Sequence, residues 1–266
     1  MIDYCQIQPL FDSLGANGAL MTNFPSECII LGGGPSINAE IMTLKDRIKD
    51  KFVILTNYSY KFFTGTLSTF IDRDFYKSRN TEEHPDIYDE LRLLPLIVGI
   101  DINGVSEFKL PNTILLNRSS ENVYEKSVKK GFYTKNLTGI FSISLASFLM
   151  NYTGNLFLLG FDWSRRPPGE VDLKNYNPNC NFDLHYYGDN VIHEGNHKIG
   201  YYERHLPDRE FESFMKQKTK IYNVSLNSNI NIFEKISYEH MFSLLNSEIY
   251  NQDELRDKIK EKLCII

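Results

Sequence analysis

The residues with the clearest chemical potential form a glycine-rich turn, Gly32-Gly33-Gly34-Pro35-Ser36. The turn follows a short apolar run and precedes a stretch long enough for a helix. Glycines at such a turn let backbone N–H groups approach a bound phosphate without side chains in the way. The turn matches neither the G-x-G-x-x-G dinucleotide pattern nor the Walker loop. A plain tight turn between a strand and a helix is the alternative interpretation.

Polar side chains also follow two later apolar runs. Asn57 comes two residues after one run, and Asp72 and Asp74 lie at the end of the next. In a parallel sheet these positions face the crevice beyond the carboxyl ends of the strands, where open α/β sheets bind ligands. Asn57 is therefore a candidate for binding a base or ribose, and the two aspartates are candidates for holding a divalent cation or sugar hydroxyls. Solvated loop carboxylates are the alternative for the aspartates.

Four of the six histidines lie in one irregular segment, at positions His185, His193, His197 and His205. The run from His193 to His197 has the letters of the H-E-x-x-H zinc protease motif. That motif needs a helix, and Gly195 and Asn196 are poor helix residues, so a chance match is favoured. A general base on a lid is the better functional interpretation, because histidine titrates near neutral pH. Exposed loop histidines are the alternative.

A second candidate anion site lies further along the chain. Thr138 and Gly139 open an apolar stretch with helical length, so Thr138 is predicted to be an N-cap at a helix start that attracts anions. Lys135, three residues earlier, is placed to neutralise a phosphate. A capped core helix with a solvated lysine is the alternative.

These candidates need elements that bring them to one edge, and the chain alternates strand and helix patterns. Short apolar runs that end in turn residues indicate buried strands. The predicted strands are 28–31, 52–55, 67–71, 94–100, 113–116, 155–160 and 220–224. The stretches 37–51 and 140–151 are long enough for helices that connect parallel strands. The predicted fold class is α/β: one Rossmann-like domain, 1–266, with a mainly parallel sheet and helices on both faces.

Two regions depart from this alternation. Residues 164–205 are rich in Pro, Gly and Asn and show no sustained period, and their aromatic content favours a functional lid over a disordered segment. Near the end of the chain, Leu255, Ile259 and Leu263 form one apolar stripe on a charged amphipathic helix, predicted at 247–266. This stripe suggests a homo-oligomer that forms through the C-terminal helix.

Composition narrows the function classes. The 266 residues carry 29 Lys and Arg against 34 Asp and Glu, a formal net charge of -5, so nucleic-acid binding is not expected. The four cysteines lack C-x-x-C spacing, which argues against a zinc ribbon or redox dithiol and favours a reducing compartment. No apolar run reaches 18 residues and no secretory leader is evident. We therefore expect no transmembrane segment and a cytoplasmic location, either free in the cytoplasm or peripheral to a membrane.

Taken together, these segments resemble the bacterial sialyltransferases that use CMP-sialic acid and, more distantly, the proteins similar to hydroxymethylpterin diphosphokinase. The glycine turn resembles the family's G-N-G-P-S, and the run at 137–139 resembles its T-S-G helix start. Leu159-Gly160-Phe161-Asp162-Trp163 resembles its S-G-I-D-F strand end. His185-Tyr186-Tyr187-Gly188 resembles its H-Y-x-G segment, and Asn57 falls at a nucleotide-contacting Asn. Order and approximate spacing agree over residues 27–235.

The resemblance implies a glycosyltransferase in which His185 is the general base and a CMP-activated sugar is the donor. The implied donor site consists of Gly32, Gly33, Gly34, Pro35, Ser36, Asn57, Asp72, Lys135, Thr138, Gly139, Asp162 and Tyr187. Four positions depart from the family: Gly33 and Asp72 each replace an Asn, Lys135 replaces an Arg, and Ser164 replaces a Tyr. That tyrosine holds the leaving phosphate in the family, so either its role passes to Tyr176 or Tyr187 or the donor differs.

Three functions are compatible with these residues. A nucleotide-sugar-dependent glycosyltransferase, with a hydroxyl acceptor as its second substrate, is favoured. A Mg-dependent diphosphokinase of the pterin type is the first alternative, with Asp72 and Asp74 as the metal ligands. A nucleotide-binding module without catalysis is the second, because one fold hosts many functions. Only the diphosphokinase hypothesis implies a metal cofactor.

Overall fold

The computed structural model describes residues 24–37, 41–71, 85–100, 112–119, 131–134, 137–163 and 207–264. Its strands are β1 (Glu27–Leu31), β2 (Val53–Thr56), β3 (Leu67–Phe70), β4 (Ile97–Ile100), β5 (Thr113–Leu116), β6 (Arg118–Ser119), β7 (Phe132–Tyr133), β8 (Asn155–Leu159), β9 (Lys220–Asn223) and β10 (Glu234–Lys235). Its α-helices are α1 (Ile41–Ile48), α2 (Pro85–Arg92), α3 (Thr138–Leu149), α4 (Pro207–Phe211), α5 (Tyr238–Leu244) and α6 (Gln252–Cys264). Short 3-10 helices cover Pro35–Ile37, Asn57–Lys61 and Glu212–Lys216.

One eight-stranded sheet organises the fold. Its strand order is β10-β9-β8-β1-β2-β3-β4-β5, and every neighbouring pair is parallel. The strands β6 and β7 pair separately. Parallel strands with both faces covered are apolar along their length, as the buried run from Cys28 to Leu31 illustrates. The predicted α/β class with a mainly parallel sheet is confirmed.

Helices cover both faces of the sheet. Alternate side chains of each strand point to opposite faces, and apolar side chains on both faces need a covering layer. On one face, Cys28 and Ile30 of β1 belong to a core cluster that also contains residues of α3 and α6. On the other face, Ile29 and Leu31 belong to a cluster that contains residues of α1 and α5. This two-sided burial is the doubly covered arrangement that the sequence predicts.

The strand order reverses at one point. From β1 the chain adds β2 to β5 on one side, whereas β8 to β10 lie on the other side. In an open parallel sheet, connections that diverge from such a point leave a crevice at the carboxyl ends of the two adjacent strands. The crevice in this chain lies beyond the ends of β1 and β8.

The C-terminal helix differs from its prediction in length and in use. The helix α6 begins at Gln252 rather than at 247, and Leu255, Ile259 and Leu263 are buried in the core of their own chain. Their stripe is therefore not available to a second copy, and the reason for expecting an oligomer through this helix was wrong. The predicted lid, 164–205, lies outside the described residues. No helix in the described part of the chain is long and apolar enough to cross a membrane.

Candidate functional site

The glycine turn is hydrogen-bonded to the end of the neighbouring strand. Gly32 N donates to Leu159 O at 2.7 Å, and Gly34 N donates to Gly160 O at 2.8 Å. These bonds continue the β1–β8 ladder past the last strand residues. They engage two N–H groups that were candidate phosphate donors, so the turn offers fewer donors than predicted. Gly33 N–H bonds to none of the described residues.

Close approach of the two chain segments explains why the turn needs glycine. A Cβ on Gly32 would lie 2.6 Å from Gly160 O. A Cβ on Gly34 would also lie 2.6 Å from Gly160 O, and it would overlap the Oδ2 atom of Asp162. Real Cβ atoms do not come this close to a carbonyl oxygen, so any side chain would force β1 and β8 apart. The glycines are required by the fold at this point, whatever the turn binds.

Asp162, which follows β8, is hydrogen-bonded to the glycine turn. Its Oδ2 accepts a hydrogen bond from Ser36 N at 2.8 Å, and its backbone oxygen accepts one from Asn229 N at 2.8 Å. The residue is only 5% exposed, and its Oδ1 has no partner among the described residues. A buried carboxylate oxygen without a partner is costly. It is therefore a candidate acceptor for a donor group that a ligand brings.

Two buried polar residues that sequence reasoning missed hold the segment after β8. Asn223 Nδ2 donates to Phe161 O at 3.1 Å, and Ser228 Oγ donates to the same oxygen at 2.7 Å. Asn223 is the last residue of β9 and is fully buried. Asn57 was selected because it follows a predicted strand, whereas Asn223 lies inside the predicted strand 220–224, so the same rule does not find it.

Asn57 and Thr138, which are 81 positions apart, meet at the crevice. Thr138 Oγ1 donates to Asn57 Oδ1 at 3.0 Å. The prediction that Thr138 caps α3 is wrong: Leu137 occupies the N-cap position with extended backbone, and Thr138 is the first helical residue. Because Leu137 provides no side-chain acceptor, the first N–H groups of α3 have neither a side-chain cap nor an intrahelical partner among the described residues. N–H groups at a helix start can donate to an anion, and an anion site here stays a prediction.

The start of α3 also packs against the segment that follows β8. A Cβ on Gly139 would lie 2.8 Å from an edge carbon of the Phe161 ring. Glycine at this position therefore lets the helix start approach the strand end closely. Together these contacts bring the glycine turn, Asp162, Asn57 and the start of α3 to the same edge of the sheet.

Other proposed site residues lie outside the described part of the chain. They are Asp72, Asp74, Lys135, His185 and Tyr187, together with the H-E-x-x-H match and Ser164 and Tyr176. Within the described ranges, no group of three or more His, Cys, Asp or Glu side chains could hold a metal ion. A Mg²⁺ site at Asp72 and Asp74 stays a prediction.

Two other titratable side chains, Cys28 of β1 and Tyr60 of the 3-10 helix Asn57–Lys61, are unsuited to acid–base or nucleophilic catalysis. Complete burial raises the pKa of the Cys28 thiol well above its ordinary value. Burial also raises the pKa of Tyr60, and the negative charge of Glu90 raises it further. The Tyr60 hydroxyl donates to Glu90 Oε2, with 3.1 Å between the two oxygens. Both side chains therefore stay protonated at neutral pH.

Comparison with known proteins shows a likeness in fold. No family model matches the sequence, and no curated protein sequence matches it. A solved structure that is similar is the MAf glycosyltransferase from Magnetospirillum magneticum AMB-1, with a TM-score of 0.53 and 12% sequence identity. The likeness covers 91% of this chain and 37% of that one, so the chain spans little more than a third of that protein's length.

Proposed function

We propose that this chain transfers a sugar from a nucleotide-activated donor to a hydroxyl acceptor. The observation that carries the proposal is the meeting of four features at the strand-order reversal: the glycine turn, Asp162, the Thr138–Asn57 pair and the uncapped start of α3. Open α/β sheets bind nucleotides at this place. The fold likeness to a glycosyltransferase supports the same reaction class.

In this proposal the donor lies across the crevice with its phosphate at the start of α3. The first N–H groups of α3, which have no partner in the described part of the chain, stabilise negative charge, and this charge increases on the phosphate as the glycosidic bond breaks. The acceptor oxygen forms a bond to the anomeric carbon, and the electron pair of the broken C–O bond leaves with the phosphate. His185 takes the acceptor's proton, in the role that the resemblance to sialyltransferases implies. CMP as the nucleotide and sialic acid as the sugar are the finer part of the proposal.

A ligand panel tests the proposal. Calorimetric titration with CMP, UDP, GDP and ATP, each with and without Mg²⁺, should show metal-independent binding of CMP. Transfer from CMP-sialic acid to a set of glycan acceptors should then follow. Binding of ATP only with Mg²⁺ would favour the diphosphokinase, and binding of CMP without turnover would favour a binding module. Failure of every nucleotide to bind would refute the proposal.

The general base has its own test, with a neighbouring histidine as the matched control. His185→Ala should lower turnover by roughly 10²- to 10⁴-fold at saturating donor and leave donor affinity nearly unchanged. His193→Ala should keep turnover within about threefold of wild type. If His185→Ala stays within threefold instead, His185 is not the base.

A further inference from the structure

The hydroxyl of Thr138 contacts the side-chain amide of Asn57 at the carboxyl end of the sheet. Thr138 is 7% exposed, and its one hydroxyl hydrogen is donated to Asn57 Oδ1. Asn57 is partly exposed, and its Nδ2 bonds to none of the described residues. Since the amide oxygen is occupied by a donor, the group left for a ligand is the NH₂ end.

The backbone of Asn57 is fixed as well. Its φ of 47° lies in the left-handed region, where asparagine is one of the few tolerated residues other than glycine. The residue starts the 3-10 helix Asn57–Lys61, directly after β2. Non-glycine residues in this region persist where the surrounding structure holds them, and they cluster at ligand sites.

Thr138 is in turn held by buried hydroxyl groups beneath the start of α3. Ser142 Oγ donates to Thr138 O at 2.8 Å, and Thr69 Oγ1 lies 2.7 Å from Ser142 Oγ. Thr69 Oγ1 also lies 3.2 Å from Leu55 O. One hydroxyl hydrogen of the Thr69–Ser142 pair is donated to the other hydroxyl, and the second is donated to a backbone carbonyl, so neither needs the side chain of Thr138. The hydroxyl of Thr138 is left for Asn57.

We propose that Thr138 is a positioning residue that turns the NH₂ group of Asn57 toward the bound nucleotide, so that the site selects a hydrogen-bond acceptor at that point. This inference rests on the proposed function and deepens it. A nucleotide carries such acceptors on its base, as a carbonyl or a ring nitrogen, on its ribose and on its phosphate. Without the Thr138 hydroxyl the amide can rotate by half a turn and present its oxygen, which repels such an acceptor.

The experiment is a double-mutant cycle on nucleotide affinity. The probe is whichever of CMP, UDP, GDP or ATP binds wild type most tightly, titrated by calorimetry. Thr138→Val removes the hydroxyl at nearly constant volume and should weaken binding about tenfold. Thr138→Ser keeps the hydroxyl and should restore affinity to within about twofold. In an Asn57→Ala background, Thr138→Val should have no further effect, because the group through which it acts is gone.

A second variant separates positioning from general damage to the site. Asn57→Asp keeps an oxygen for the Thr138 hydroxyl but replaces the NH₂ donor by an anionic oxygen, so it should weaken binding at least tenfold. Repeating the cycle with the matching nucleoside locates the acceptor. A Thr138→Val loss that persists with the nucleoside assigns the base or the ribose, and a loss that vanishes assigns the phosphate.

The outcomes distinguish this inference from the proposed function. If wild type binds none of the four nucleotides, both fail. If it binds one, but Thr138→Val weakens binding equally with and without Asn57, the positioning role alone is wrong. The same holds if Asn57→Asp binds as tightly as wild type, or if Thr138→Ser binds as weakly as Thr138→Val. Thermal midpoints of each variant show whether a loss reflects unfolding.

Discussion

Gly34→Ala should destabilise the protein, although the usual effect of such a change has the opposite sign. Replacing a glycine whose φ suits other residues stabilises by about 0.4–1 kcal/mol, because alanine restricts the unfolded chain. The φ of Gly34 is not positive, so this gain applies. The new Cβ, however, would lie 2.6 Å from Gly160 O and would overlap Asp162 Oδ2. Whether the clash outweighs the entropy gain decides the sign.

The magnitude follows from what the clash disturbs. Forcing a methyl group into a packed site costs about 1–3 kcal/mol. The displaced oxygens accept the hydrogen bonds of Gly34 N and Ser36 N, both 2.8 Å long, and such bonds contribute about 0.5–1.5 kcal/mol, or about 1.5–3 kcal/mol with a charged partner. Since the bonds stretch rather than vanish, we expect a net loss of about 2–4 kcal/mol in the free energy of unfolding. Urea denaturation, followed by far-UV circular dichroism, measures it.

A double-mutant cycle makes this prediction specific. In an Asp162→Ala background the overlap with the carboxylate is absent, so Gly34→Ala should cost about 1 kcal/mol less than in wild type. Gly32→Ala is the matched control: its Cβ would also lie 2.6 Å from Gly160 O but would not meet Asp162. Its cost should be the same in both backgrounds. A Gly34→Ala protein as stable as wild type, or more stable, would refute the packing argument.

Two further changes test the packing of the C-terminal helix. Ile259 is fully buried in the core, so Ile259→Ala should lower the free energy of unfolding by about 2–5 kcal/mol in the same urea assay. The smaller change Ile259→Val should lower it by about 0.5–1.5 kcal/mol. Equal, negligible losses would mean that α6 does not pack on the sheet. Burial lowers the pKa of Lys262 to about 8, while its amine donates to Leu149 O and Asn151 Oδ1. In the unfolded chain the lysine pKa is about 10.4, so between pH 8 and 10.4 the unfolded state binds more protons than the folded state. The free energy of unfolding should therefore rise with pH across this window, and this gain should be lost as the pH falls through 8. Lys262→Met should remove that rise, and identical slopes of urea midpoint against pH in the two proteins would contradict the lowered pKa.

Much of the fold follows from local patterns in the sequence. The run 113–116 is a strand with the predicted bounds, and 155–160 is a strand that ends one residue earlier, at Leu159. Short apolar runs between turn residues are a strong signal when both faces of a sheet are covered. Helices are harder to bound: α6 begins at Gln252 instead of 247, and α2 and α5 were not predicted.

The site is less predictable, because its contacts join distant parts of the chain. The sequence marks Gly34, Thr138 and Asp162 as candidates, but it does not show that the N–H of Gly34 is used by Gly160 or that Thr138 bonds to Asn57. A glycine that lets a ligand approach the backbone and a glycine that lets a neighbouring strand approach it look the same in the sequence. Only strand order tells them apart, and strand order depends on the placement of β8 next to β1.

That placement has a consequence for the order of folding during synthesis. The bond from Ser36 N to Asp162 Oδ2 joins residues 126 positions apart, whereas β1 pairs with β2 through residues about 24 positions apart. At about 5–20 residues per second, the ribosome needs roughly 6–25 s to add the residues that separate Ser36 from Asp162. During this interval the β8 side of β1 is an unpaired strand edge, which is a template for association with other chains. The nascent protein therefore exposes, for this interval, the strand edge that later closes the crevice.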